Sequence, residues 1–150
     1  MRRRHAFEAS ARSRAPVAAV WPLIGEAKRW RDWSWMTKAT LVHEGDPPPD
    51  GVGALRRFGV GPGGSKERVV AWDPPHHLGY VMVSGLPVRH YRADVTLTED
   101  DGGTRVTWRC SVEPLVPGTG GLLAFVLGKT VHSFAVGVCR YADKLAAESG

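Results

Sequence analysis

Leu123, Leu127, Val131, Phe134, Val138, Tyr141 and Leu145 follow one another at steps of four or three residues along the end of the chain. That spacing is one face of an α-helix, and it predicts a helix over 121–147. Thr119 stands two residues after Pro117 as an N-cap candidate, and the run ends at Ser149 and Gly150. Such a helix is roughly 40 Å long at ~1.5 Å per residue and cannot bury its apolar stripe alone. Before it, the dominant period is two instead of three to four. Phe7, Ala9 and Ala11 alternate with Glu8, Ser10 and Arg12, the signature of a half-buried strand.

Between that strand and the next stands a short helical stretch. Pro16 suits a helix N1 position, where its missing N–H costs nothing. Val17, Val20, Leu23 and Ile24 then make one apolar face. Pro22 predicts a kink or an early end, and Gly25 is a natural residue just past the C-cap. A second short helix is expected over 26–33, with Ala27, Trp30 and Trp33 inward. From there the chain reads as six strands, over 40–44, 53–60, 66–72, 78–83, 88–98 and 104–112. Turn chemistry separates them: Pro47-Pro48-Pro49-Asp50-Gly51, Gly61-Pro62-Gly63-Gly64, Asp73-Pro74-Pro75, Gly85-Leu86-Pro87 and Asp100-Asp101-Gly102-Gly103. In 88–98, Tyr91, Ala93, Val95 and Leu97 share one face, and His90, Arg92, Asp94 and Thr96 the other. In 104–112, Val106, Trp108, Cys110 and Val112 face inward. Short turns make the sheet antiparallel. The predicted class is α+β: a seven-stranded curved antiparallel sheet around a long C-terminal helix, with two short helices after the first strand. A sheet curled around one long helix leaves room for a cavity between them.

Composition narrows this only a little. The chain has 150 residues, 43% of them hydrophobic, which suits one globular domain with a real core. No run of eighteen apolar residues occurs, so neither a membrane-spanning helix nor stable membrane insertion is expected. The start Met1-Arg2-Arg3-Arg4-His5 resembles a signal peptide's basic end. Phe7-Glu8-Ala9-Ser10 follows without an apolar core, which predicts a cytoplasmic protein. The net charge is +5, but the basic residues are scattered, so nucleic acid is not an expected partner. Cys110 and Cys139 lie 29 apart with no CxxC and read as two buried thiols. Four of the six tryptophans fall between Trp21 and Trp35. They read mainly as wedges between the short helices and a sheet edge, with an aromatic wall for a ligand as the alternative.

The element order and several local motifs resemble the START/Bet v 1-like superfamily, in its polyketide cyclase/dehydrase and lipid transport branch. The matching residues are Ala15-Pro16 with Val20-Trp21, then Trp30 to Trp33. They continue through Gly51-Val52-Gly53-Ala54 with Arg56, and Glu67-Arg68-Val69 running to Asp73-Pro74-Pro75. Gly103-Thr104-Arg105-Val106-Thr107-Trp108 and Pro117-Gly118 complete the set. The resemblance covers nearly the whole chain. It implies a helix-grip fold as a single domain, with a deep hydrophobic cavity between sheet and C-terminal helix. It does not imply one activity, because the fold hosts cyclases, hydrolases, lipid carriers and chaperone co-factors.

Familiar catalytic constellations are absent from the sequence. There is no GxSxG elbow. His76 and His77 are adjacent, so their side chains diverge on a strand, and no metal site is expected. Gly61–Gly64 lacks the Lys-Ser/Thr of a phosphate cradle, and no cofactor is expected. His90 and Asp94 are ~13 Å apart along a strand, too far for a dyad, and His132 sits beside the helix stripe. Acid–base chemistry is the open question, with Tyr91, Arg56 and Glu67 as candidates. If Gly61–Gly64 turns on its two central residues, Arg56, Phe58, Glu67 and Val69 share a face, with Arg56 diagonal to Glu67. The pair is then either a charged pair inside the cavity or part of an exposed face. A one-residue slip would give Glu67 to Arg57 instead.

The reading that follows is a protein that encloses a hydrophobic or amphipathic small molecule, such as a lipid, acyl chain or polyketide. Phe58, Tyr80, Met82, Tyr91, Trp108, Val131, Phe134 and Val138 are the expected lining, with Arg56 as polar anchor. The alternatives are a polyketide cyclase or dehydratase and a protein-interaction module. Both monomer and homodimer are compatible with the sequence.

Overall fold

The computed structural model describes residues 4–149; Met1–Arg3, part of the basic start of the chain, and the terminal Gly150 lie outside it. The chain runs β1 (His5–Ser13), α1 (Val17–Gly25), a 3-10 turn (Ala27–Arg29), α2 (Trp30–Trp33), β2 (Lys38–His43), β3 (Leu55–Gly59), β4 (Ser65–Asp73), β5 (His77–Ser84), β6 (Val88–Asp100), β7 (Gly103–Pro114) and α3 (Gly120–Ser149). The seven strands form one antiparallel sheet in the order β1-β7-β6-β5-β4-β3-β2. Five of the neighbouring pairs are consecutive in sequence, and β1 closes the far edge by pairing with β7, from His5 opposite Val112 to Ser13 opposite Thr104. α3 lies across the concave face. This is the architecture expected from the sequence, with strand ends shifted by one or two residues.

Alternation is what holds α3 in place. Ala9 of β1, Ala93, Val95 and Leu97 of β6, and Val106, Trp108 and Val112 of β7 are buried in one cluster with Leu127, Val131, Phe134 and Val138 of α3. Each fully buried large apolar side chain contributes ~1.5–3 kcal/mol, so the stripe is what keeps the helix on the sheet. Polar ties add to it near the C-terminal end. Asp143 accepts hydrogen bonds from the Ser13 hydroxyl at 2.8 Å and from the Arg14 backbone N–H at 2.7 Å. Glycine permits close approaches along α3: a Cβ at Gly137 would stand 2.5 Å from the Trp33 carbonyl oxygen, and one at Gly120 would meet the His5 ring. By length and composition α3 could cross a membrane, a possibility that counting apolar runs does not register. Here its inner face is packed on the sheet.

Three local expectations are corrected. Pro22 does not end α1, which continues to Gly25; Pro22 offers its carbonyl to the Glu26 N–H at 3.1 Å. The stretch 26–33 is not one helix but a 3-10 turn followed by the single-turn α2. Thr119 does not cap α3 with its side chain. Its hydroxyl donates to the Val116 carbonyl at 2.6 Å, while its own carbonyl accepts from Leu123 N–H at 2.9 Å.

Candidate functional site

A cavity of about 350 Å3 lies between the concave face of β3–β6 and the N-terminal half of α3. Its mouth sits under the β3–β4 and β5–β6 turns. Phe58, Tyr80, Met82, Tyr91 and Phe134 line it, as the alternation predicts. Trp30 and Leu127 add apolar wall, and Trp35, Met36, Val60, Leu86, Val126 and Thr130 surround the opening. Trp35 is 58% exposed and stacks on Phe134 at 6.0 Å. Trp21, Trp30 and Trp33 are buried, so of the four clustered tryptophans three wedge the core and one stands at the mouth.

Trp108, Val131 and Val138 do not line the cavity. They point inward but are packed solid behind it, each at most 1% exposed. Arg56, expected as the polar anchor, also stays out of the lining. It is completely buried, with its guanidinium carbon 4.9 Å from the Trp30 ring, 5.0 Å from Phe58 and 4.9 Å from Tyr80. Three ring faces give a buried cation partial compensation. Arg56 Nη2 donates to Glu67 Oε1 at 3.1 Å, while Nε and Nη1 have no hydrogen-bond partner.

Strand register makes this pair. Arg56 stands directly opposite Glu67, and Phe58 opposite Ser65. The sequence placed Arg56 diagonal to Glu67, two residues out of step. Because side-chain direction repeats every two residues, the shift preserves the face and brings the pair together. Arg57 points the other way and donates to the Pro62 carbonyl at 3.2 Å. Glu67, not Arg56, is the charged group on the cavity wall. No lysine, arginine or histidine lines the cavity among the described residues.

Burial dominates the electrostatics. It pushes the Glu67 carboxyl up to about 7, against the pull of the Arg56 charge and hydrogen bond. Burial also raises the Tyr80 and Tyr91 hydroxyls well above the usual tyrosine range, with neighbouring charge adding to it. Both therefore stay protonated. Tyr80 oxygen accepts from Trp108 Nε1 at 3.0 Å, which leaves its O–H to donate elsewhere. Tyr91 O–H has only the Cys110 sulfur, a weak acceptor, at 3.8 Å. The site thus combines an apolar, aromatic-rich wall with one carboxyl and two phenols.

The remaining polar candidates lie elsewhere. His90 and His132 are exposed. Asp94 pairs with a different histidine: His77 Nε2 lies 2.8 Å from Asp94 Oδ1 across the β5–β6 pair, outside the cavity lining. Cys110 and Cys139 are buried free thiols.

The family model for polyketide cyclase / dehydrase and lipid transport proteins matches residues 4–147. The chain belongs to this family. Its helix-grip structure is similar to that of a START superfamily protein from Mycobacterium smegmatis, with TM-score 0.79, 12% identity, and 94% of this chain and 99% of that one covered. A Thermobifida fusca protein solved by NMR is 30% identical, with TM-score 0.72 over 93% of this chain and 91% of that one. Norcoclaurine synthase from Thalictrum flavum, solved with dopamine and hydroxybenzaldehyde, gives TM-score 0.71 at 16% identity over 99% and 90% of the two chains. No curated protein sequence matches the chain. For this member of the polyketide cyclase/dehydrase and lipid transport family, likeness at 12% and 16% identity shows the fold alone, so function rests on the cavity.

Proposed function

We propose that the protein binds a hydrophobic small molecule, with one polar group, in the cavity between β3–β6 and α3. The observation that carries this reading is the volume of about 350 Å3 walled by aromatic and aliphatic side chains, with Glu67, Tyr80 and Tyr91 as its polar groups. That is the composition of a small-molecule site: mostly apolar surface for affinity and a few polar groups for orientation. Removing ligand surface from water supplies the driving force at ~25 cal/mol per Å2. The test is titration with the neutral dye N-phenyl-1-naphthylamine. The wild-type protein binds it, and Leu127→Trp, which fills the cavity from α3, weakens binding at least tenfold while the melting temperature is retained. No binding, or equal binding by the variant, overturns the reading.

A second reading is favoured by one observation, the Glu67 carboxyl near 7. A group with that property takes up and releases protons at neutral pH. In a cyclase or dehydratase, Glu67 accepts a proton from a carbon next to a carbonyl, and the protonated Tyr80 or Tyr91 donates to the developing oxyanion. Arg56 acts there only through Glu67. Glu67→Gln separates the two readings, because it abolishes turnover under the second and leaves dye binding in place under both.

A further inference from the structure

Glu67 has two carboxylate oxygens with different fates. Oε1 accepts from Arg56 Nη2, and no hydrogen bond reaches Oε2 among the described residues. The side chain is 8% exposed, and Glu67 is part of the cavity lining. Arg56 is sealed behind Trp30, Phe58 and Tyr80 and is no part of the lining. A ligand entering the cavity therefore meets the negative partner of the pair and not the positive one. The lining offers no basic side chain to offset it.

We infer that Glu67 determines ligand specificity: the cavity selects an apolar molecule whose polar end donates a hydrogen bond, such as a phenol or alcohol, and rejects one that ends in a carboxylate. The inference rests on the binding reading above and narrows it. A donor satisfies the open oxygen of Glu67 with a charge-assisted hydrogen bond, stronger than a neutral one. A carboxylate brings a second negative charge into a desolvated space, where like charges repel strongly. It also leaves the open oxygen unpaired, the arrangement by which buried polar groups reject mismatched ligands. The tyrosines support the same choice. Tyr91 oxygen, whose O–H faces only the Cys110 sulfur, is an open acceptor for the same donor. A free fatty acid is thus disfavoured, while a hydroxylated aromatic molecule fits the wall of six aromatic side chains, Trp30, Trp35, Phe58, Tyr80, Tyr91 and Phe134.

The test compares 2-naphthol, 2-naphthoate and naphthalene, which share one ring system, by calorimetric titration at pH 8. At that pH 2-naphthoate is ionised and 2-naphthol mostly neutral, and Glu67 is mostly ionised, with Arg56, Tyr80, Tyr91 and Cys110 the titratable groups around it. The expected order is 2-naphthol, then naphthalene, then 2-naphthoate, with roughly tenfold or more between first and last. In Glu67→Gln the side chain gains a donor and loses its charge, and the ratio of 2-naphthol to 2-naphthoate falls to within about threefold. Arg56→Met with Glu67→Gln removes both charges and serves where the single variant folds poorly; the ratio falls there too. Equal affinities in the wild type, or an unchanged ratio in the variants, overturn the role of Glu67 while the binding reading stands. Failure of all three compounds to bind overturns both.

Discussion

The Arg56–Glu67 pair makes a sharp prediction about stability, because each side chain is tolerated only through the other. Arg56→Met removes the cation and leaves the buried Glu67 carboxylate at the cavity wall without its partner. Breaking a buried pair from one side costs about 3–5 kcal/mol, which lowers the melting temperature by about 10 °C in a domain of this size. Adding Glu67→Gln removes the stranded charge. It also discards the two guanidinium N–H-bearing atoms that have no partner, Nε and Nη1, each a desolvation cost of ~1–3 kcal/mol. The double variant should therefore recover to within ~1 kcal/mol of the wild type or exceed it. pH gives an internal control. Glu67 is raised from 4.5 to about 7 in the folded state, so the folded protein holds this proton more tightly than the unfolded chain. The corresponding stability is fully present below about 4.5 and is lost as pH rises through about 7; at ~1.36 kcal/mol for each pH unit it amounts to about 3 kcal/mol. In Arg56→Met the carboxyl shifts further up, so the variant's deficit should shrink from pH 8 to pH 5.5, where Glu67 is neutral. Urea unfolding followed by tryptophan fluorescence at both pH values measures all of this. Additive effects, with the double variant the least stable of the set, would refute the pairing argument. A deficit independent of pH would refute the assignment of Glu67 as the stranded charge.

Two further outcomes follow from packing and burial. Gly137→Ala puts a Cβ 2.5 Å from the Trp33 carbonyl and should destabilise by ~1–3 kcal/mol. Gly128→Ala meets nothing closer than Phe7 at 3.8 Å and should stabilise the helix by ~0.5–1 kcal/mol; thermal melts of the two variants, moving in opposite directions, check it. Burial pushes the Cys110 and Cys139 thiols up to about 12, leaving a thiolate fraction of about 10⁻⁴ at pH 8. Iodoacetamide should leave both unmodified in the folded protein and alkylate both in urea, as mass spectrometry would report.

The sheet and helix were legible because each rests on a periodic signal repeated over many residues. Alternation assigned β6 and β7 their inward faces, and the three-and-four spacing assigned α3 its stripe. The same signal says which way a side chain points but not how far along the element the packing is open. Trp108, Val131 and Val138 point inward like Tyr91 and Phe134, yet they fall where helix and sheet are in full contact. Trp35, Leu86 and Val126 were missed as lining for a related reason. Trp35 and Leu86 sit in turns, where no period operates, and Val126 lies on the edge of the stripe. The Arg56–Glu67 pair was half legible. Glycines at 61, 63 and 64 leave several turn placements open, and the one adopted differs from the expected one by two residues, which fixes the face but not the partner. Pro22 misled in the opposite way, because burial of Val20, Leu23 and Ile24 outweighs the loss of one helical hydrogen bond.

The close approaches along α3 have a mechanical consequence. A Cβ at Gly120 would collide with the His5 imidazole, and one at Gly137 with the Trp33 backbone. The helix is therefore fixed against backbone at Gly137 and rests on a side chain at Gly120, about 25 Å away at ~1.5 Å per residue, and Leu127, Thr130 and Phe134 hang over the cavity between them like fittings under a beam. A beam held at both supports keeps its height whatever hangs from it. Capacity can then be changed by exchanging those three side chains for larger or smaller ones, with the scaffold left in place. That division of labour between fixed frame and interchangeable lining offers a physical route by which one fold is fitted to ligands of different size.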